Sequence, residues 1–140
     1  MPPAAGNTGG QMHIVAALFT ELFDMRQVAG PSTRLDLTGV FFSMASPSPV
    51  PVTIEPHLIV LVHEPVGGSG SAALETVYLR GDEQIARNVQ PVTVEPGKFG
   101  YRLVRAELEF EDYGSVAASV RLDLGPPVVV PLTLLPPEPG

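Results

Sequence analysis

The segment from Tyr101 to Leu124 constrains the fold more than any other part of the chain, because its side chains alternate in character. A period of two is typical of a strand with one buried face, and Asp112-Tyr113-Gly114 supplies turn chemistry between the two halves. The pattern predicts a β-hairpin with one apolar and one solvated face. Its apolar set is Val104, Ala106, Leu108, Phe110, Val116, Ala118, Val120, Leu122 and Leu124; the residues between them are Arg105, Glu107, Glu109, Glu111, Ser115, Ala117, Ser119, Arg121 and Asp123.

The remainder of the chain is divided into short pieces by 16 prolines and 14 glycines, a pattern that favours antiparallel β structure over helices. We therefore predict an all-β fold, an antiparallel two-sheet sandwich of about seven to eight strands. Residues 57–64 are apolar on both faces at their centre, residues 58–62, as in a central strand, whereas Pro131 predicts an edge strand for 128–134. The other predicted strands are 34–42, with Gly39 marking a bulge or a close backbone approach, and 73–79 and 89–95 around the turn 80–83.

Residues 13–28 leave two alternatives open. Ile14, Leu18, Leu22 and Met25 have helical spacing, and Ala29-Gly30-Pro31 is a helix stop signal. The strand alternative pairs this segment with residues 34–42. We favour a strand for residues 13–20 and retain a short helix as the alternative for residues 21–28.

A chain of 140 residues suffices for one domain with a substantial core. Its charged fraction is low, at 16%, and its hydrophobic fraction is high, at 44%. Disordered chains instead combine high charge with low hydrophobicity. The Gly/Pro-rich residues 1–11 predict an extended N-terminal arm, residues 12–134 a single β-sandwich domain, and residues 135–140 a Pro-rich C-terminal tail.

The net charge is −7, and Lys98 is the only lysine. No window clusters the basic residues that nucleic acid or an anionic lipid surface requires, so neither is an expected partner. The longest apolar runs are far shorter than a bilayer span, so membrane insertion is not expected either. The absence of cysteine excludes disulfides and thiolate chemistry. The first residues lack the pattern of a signal peptide, so we expect a cytoplasmic protein or a component of an assembled particle.

Several segments occur in a fixed order along the chain: Ile14–Phe19, Leu35-Asp36-Leu37-Thr38-Gly39-Val40-Phe41, the prolines Pro47, Pro49 and Pro51, Leu58–Val62, and Tyr113-Gly114. Together they resemble a bacterial family of small β-sandwich proteins of unknown function and immunoglobulin-like type. The similarity covers residues 13–134, and the chain departs from the family in a longer first turn and in the insertion Pro126-Pro127. The resemblance implies a sandwich fold and no particular chemistry.

Two sets of side chains contain the residue types that bind metal ions. His57 and His63 lie on one predicted strand, about 20 Å apart at 3.3 Å per residue, and therefore cannot share an ion. Glu107, Glu109 and Glu111 share one strand face that could contribute to a Ca²⁺ site. We favour a solvated face instead, with Arg105 and Arg121 pairing across strands to Asp123 and Glu107.

The motifs of enzymes and receptors also have simpler interpretations. Arg80-Gly81-Asp82 spells an integrin-binding tripeptide, but we predict a hairpin turn there. Residues 67–71 read Gly-Gly-Ser-Gly-Ser, which lacks both the lysine of a phosphate-binding loop and the last glycine of a nucleophile elbow. We interpret this segment as a flexible loop.

We therefore predict a non-enzymatic protein with no catalytic, cofactor-binding or metal-binding residues. Its predicted role is protein interaction or assembly, through strand edges and the terminal arms, with a protein partner or as a homo-oligomer. One alternative is a sandwich that binds a small ligand or Ca²⁺ through the end loops 64–72, 80–84 and 111–115. A less favoured alternative is a hydrolase, which would need one of His13, His57 and His63 beside a serine and an acid.

Overall fold

The computed structural model describes residues 11–28 and 32–138, and all regular structure in these ranges is β. They contain eleven strands, so the predicted seven to eight are too few. Two of the strands that were not predicted, Ser43–Ala45 and Val52–Ile54, have only three residues each, too short for a periodic pattern. The strands are β1 (His13–Val28), β2 (Ser32–Phe41), β3 (Ser43–Ala45), β4 (Val52–Ile54), β5 (His57–His63), β6 (Ser71–Arg80), β7 (Glu83–Thr93), β8 (Phe99–Arg105), β9 (Leu108–Phe110), β10 (Gly114–Leu122) and β11 (Val128–Leu135).

The described strands form three sheets instead of the two predicted. One has four strands in the order β2-β1-β5-β8, a second has five in the order β3-β11-β10-β6-β7, and β4 pairs with β9 in a small third sheet. Pairing is antiparallel except between β11 and β3. No helix long and apolar enough to cross a bilayer occurs among the described residues.

One buried core joins all three sheets. Phe19 and Leu58 enter it from the four-stranded sheet, Tyr78 and Val120 from the five-stranded sheet, and Phe110 from the small sheet. Burial of such side chains contributes roughly 1.5–3 kcal/mol each. The core therefore fixes which face of each sheet points inward.

The alternation of residues 101–124 is confirmed, but the hairpin predicted from it is wrong. Leu108, Phe110 and Val120 are buried, whereas Glu109 is exposed. However, β8 pairs with β5, β9 with β4, and β10 with β6 and β11. The chain thus crosses between sheets where a tight turn was expected, and Leu124 lies beyond β10 with 86% of its surface exposed.

Most of the other predicted strands are present. β5 lies between β1 and β8, and β6 and β7 form the predicted hairpin. The edge position predicted for residues 128–134 is wrong, because β11 pairs with both β10 and β3. Pro131 has no N–H to donate to a neighbouring strand. It is nevertheless tolerated here, because β3 pairs only with Thr133 to Leu135, beyond Pro131.

The helix alternative for residues 21–28 is wrong, because the described segment continues as strand β1 and pairs with β2. Residues 1–10, most of the predicted arm, and 139–140, the end of the predicted tail, lie outside the described residues. Leu135, the first residue of that predicted tail, is the last residue of β11.

The second half of β1 folds back over the outward side of its own sheet. Tyr101 lies opposite Leu61, which in turn lies opposite Ala16. In a straight strand Phe23 would be about 23 Å beyond Ala16, yet its ring centroid is 6.0 Å from that of Tyr101. The β1–β2 hairpin therefore covers this face, where Ile59 is only 1% exposed although it points away from the core.

Gly39 lies where the hairpin bends, and the group that approaches it closely is a side chain instead of the predicted backbone segment. Its φ is +71°, and a Cβ at this position would overlap the side chain of Glu21 on the paired strand. The buried Thr20 hydroxyl donates to the backbone carbonyls of Leu22 and Thr38, at 2.9 and 2.8 Å. Glycine on one strand and the threonine on the other thus accommodate the bend.

Candidate functional site

The histidines occupy two separate places. His57 and His63 lie at opposite ends of β5, so their predicted separation holds. His57 is paired with Thr20 and Arg105, whereas His63 lies between His13 and Phe99. The His13 and His63 ring centroids are only 5.2 Å apart. The spacing of histidines along one strand does not predict this cross-strand pair, which depends on the register of β1 against β5.

The carboxylates of the predicted solvated face line an acidic cleft of about 850 Å³. The turns 80–84 and 111–115 meet there, so two of the three predicted end loops are neighbours. The third, 64–72, lies at the other end of the fold, because the ten-residue strand β6 separates it from residue 80. The acidic side chains of the cleft are Glu83, Glu107, Glu109, Glu111 and Asp112.

These carboxylates do not converge on one point. Among the described residues, no three His, Cys, Asp or Glu side chains are close enough to hold a metal ion. The predicted cross-strand ion pairs are also wrong. Arg121 binds Glu75 instead, and Arg105 lies on β8 opposite His57 because β8 pairs with β5 instead of β10.

Arg80 fixes one wall of the acidic cleft. Its guanidinium donates to the Glu109 carbonyl at 2.7 Å and lies 5.1 Å from the centroid of the Phe110 ring. Arg80-Gly81-Asp82 runs from the end of β6 into the turn, and Gly81 has the positive φ, +61°, that a tight turn needs. The tripeptide therefore forms the predicted hairpin turn, and its arginine side chain contacts Glu109 and Phe110 of the same domain.

A second cleft, of about 950 Å³, brings together serine, histidine and acidic residues at the other end of the fold. We name it the Glu64 cleft; it includes His13, Glu64, Ser69, Ser71 and Asp123. The polar side chains are engaged with local backbone. Glu64 accepts from the Gly70 N–H, Asp123 from the Ala73 N–H, and the Ser69 hydroxyl donates to the Ser71 carbonyl. This bonding organises loops and aligns no serine with an imidazole.

Glu64 is the most unusual residue of this cleft, being a carboxylate only 1% exposed. Its Oε2 holds Gly70, while Oε1 has no hydrogen-bond partner among the described residues. A Cβ at Gly68 would overlap Oε1. The Gly-rich loop is thus wrapped around a buried acid, and glycine at position 68 makes room for it.

We expect Glu64→Ala to lower the free energy of unfolding by about 1–3 kcal/mol, because the Gly70 N–H loses its acceptor. Glu64→Gln should lower the free energy of unfolding by less, since the amide oxygen can still accept a hydrogen bond from the Gly70 N–H. Urea denaturation of both variants measures the difference. The control is Glu95→Ala, an exposed acid that should change stability by less than about 0.5 kcal/mol; an equal effect of Glu64→Ala and Glu95→Ala would contradict the loop-organising role.

The outward face of the five-stranded sheet has a different character, and we name it the open face. No described segment lies over it, and Val89 and Val129 are 50% and 60% exposed. Its residues alternate with the buried ones on each strand. The open face consists of Glu75, Val77 and Leu79 of β6, Arg87 and Val89 of β7, Ala117, Ser119 and Arg121 of β10, and Val129 and Pro131 of β11.

The charges of the open face are engaged with one another. Glu75 accepts from Arg121 at 2.7 Å and from Arg87 at 2.8 Å. These hydrogen bonds, first that of Arg121 and then that of Arg87, hold the pKa of Glu75 below its ordinary value. Two arginines against one glutamate leave this face with a single net positive charge, in a chain whose net charge is −7.

No protein-family model matches the chain, and no curated protein is significantly similar to it. The resemblance to the bacterial β-sandwich family therefore stays a prediction.

Proposed function

We propose that this chain is a non-enzymatic β-sandwich module of immunoglobulin-like type that acts by self-association through its open face. The proposed setting is the cytoplasm or an assembled particle. The observation that carries the proposal is the contrast between the two large sheets. A hairpin covers the outward face of the four-stranded sheet, whereas Val89 and Val129 on the outward face of the five-stranded sheet are exposed to solvent.

Charge favours a second copy of this chain as the occupant of the open face. Two chains of net charge −7 repel each other. The open face carries none of this negative charge and has a net charge of only +1, because Glu75 is paired with both Arg87 and Arg121. Two copies can therefore approach through this face with the least repulsion.

The shape of the face suits the same contact. Sheets pack face to face about 10 Å apart when small and branched side chains interdigitate. The central row of the open face contains Val129, Ser119 and Val77 on neighbouring strands, with Pro131, Ala117 and Leu79 in the next row. A two-fold symmetric contact would place the same rows of both copies together.

Sedimentation velocity with a double variant, Val89→Glu and Val129→Glu, tests this proposal. We expect the native chain to form a dimer at about 100 µM and the variant to be monomeric, because four added charges would meet in the contact. Both positions are exposed, so folding should persist, as circular dichroism will verify. Val66→Glu, at a loop position 84% exposed, is the control and should leave the dimer intact.

A native chain that is monomeric at this concentration would overturn the proposal. So would a dimer that persists in the double variant, because self-association would then use another surface. A dimer disrupted by Val66→Glu would likewise assign the contact to the opposite end of the fold.

Small-ligand or Ca²⁺ binding is the second candidate, favoured by the meeting of two predicted end loops in the acidic cleft. Binding there would have to draw together carboxylates that lie apart in this structure. Calorimetry with Ca²⁺ tests this candidate; the absence of heat at millimolar Ca²⁺, the weak end of known sites, would count against it.

A further inference from the structure

His13 and His63 form a pair of imidazoles at one end of the four-stranded sheet. They lie directly opposite each other on antiparallel strands β1 and β5. Their rings are 5.2 Å apart between centroids and inclined at 62°. His13 is exposed and His63 is half-buried, so an ion can reach the pair directly from solvent.

The spacing matches that of two ligands on one metal ion. In a tetrahedral zinc site each imidazole nitrogen is about 2.0–2.1 Å from the metal, which sets the two ring centroids roughly 5 Å apart. The observed separation is 5.2 Å. The strand register therefore provides a spacing that a two-histidine chelate requires.

Phe99 restricts the movement of one ligand. Its ring centroid is 4.6 Å from that of His63, on the side of β5 opposite to His13. His63 is therefore packed between two rings, which lowers the entropy that it would lose on binding an ion. Preorganisation of this kind is what distinguishes a binding site from two neighbouring surface side chains.

We propose that His13 and His63 together bind one divalent transition-metal ion of the zinc, nickel or copper class. Imidazole nitrogen favours these ions over Mg²⁺ and Ca²⁺, which prefer oxygen. No third His, Cys, Asp or Glu converges on the pair among the described residues. The remaining coordination positions are open to water, so the ion is held at an accessible site.

Zinc titration followed by NMR of the imidazole groups tests the proposal, because the chain has three histidines and one is an internal control. We expect the His13 and His63 resonances to change together and to saturate at one ion per chain. His57 lies at the far end of β5 and should not change. Ca²⁺ should change none of the three.

Calorimetry with Zn²⁺ on single variants gives a second readout. Loss of an outer-shell partner of a metal ligand typically weakens binding by about 10–100-fold, so His13→Gln and His63→Gln should each weaken it at least about tenfold. His57→Gln should bind as the native chain does, and circular dichroism verifies the fold of all three. Retention of Zn²⁺ binding by His63→Gln, or an equal response of His57, would overturn the assignment. The double variant Val89→Glu, Val129→Glu should also bind Zn²⁺ normally, which keeps this test independent of self-association.

Discussion

Tyr78→Ala is expected to lower the free energy of unfolding by about 3–5 kcal/mol, whereas Tyr78→Phe should leave it unchanged or raise it by about 1 kcal/mol. Tyr78 is wholly buried and is one of the largest side chains of the core. Its ring therefore contributes packing that alanine cannot replace. Its hydroxyl, in contrast, has no hydrogen-bond partner among the described residues.

A pair of threonines provides the control for this argument. The Thr76 hydroxyl is buried on the same face of β6 and has no hydrogen-bond partner within residues 11–28 and 32–138, whereas the Thr20 hydroxyl donates to two backbone carbonyls. Thr76→Val should leave the free energy of unfolding unchanged or raise it, and Thr20→Val should lower it by about 1–3 kcal/mol. Urea denaturation measures all four variants. Destabilisation by Tyr78→Phe equal to that of Thr20→Val would show that the tyrosine hydroxyl is bonded.

Alkaline pH should act through the same residue. Burial raises the pKa of Tyr78 to about 12, against an ordinary value of 10.0. Because the folded state holds the proton more tightly, this contribution to stability is complete below pH 10 and is lost as pH rises from 10 towards 12, by about 1.4 kcal/mol per pH unit at most. Tyr78→Phe should reduce the loss of stability in this range, and unfolding measured at pH 9 and pH 11 tests it. Equal pH dependence of the two proteins would contradict the assignment to Tyr78.

The alternation of residues 101–124 shows how far a periodic pattern leads. It correctly indicates that Leu108 and Phe110 are buried and Glu109 is exposed. It says nothing about which strand lies alongside, because a partner's identity depends on contacts between residues far apart in the chain. The residues before and after Asp112 accordingly join different sheets, although the sequence favours a turn between them.

The pair of His13 and His63 shows that local sequence patterns also fail to predict a site formed by two strands that are distant in the chain. His13 and His63 are brought together only by the antiparallel register of β1 and β5, which also contains a bulge between Ile14 and Ala16. A shift of one residue would turn one imidazole to the other face. Composition and local motifs therefore predict the fold class and the separation of His57 from His63, but not this pair.

Ile59→Ala is expected to lower the free energy of unfolding by about 2–5 kcal/mol, the range for a fully buried isoleucine. Ile59 is 1% exposed although it points away from the central core, between Leu18 and Leu103 on the neighbouring strands. Only a second layer can bury it, and the contact of Phe23 with Tyr101 identifies that layer as the folded-back hairpin.

Val89→Ala is the matched control for Ile59→Ala, because Val89 occupies the outward face of the other large sheet and is 50% exposed. Exposed substitutions of this kind usually change stability by less than about 0.5 kcal/mol. Phe23→Ala should also destabilise the protein, since it removes part of the cover above Ile59. If urea denaturation gives equal small effects for Ile59→Ala and Val89→Ala, the hairpin does not cover its sheet in solution. Both large sheets would then present apolar faces, and the reason for assigning self-association to the open face alone would be lost.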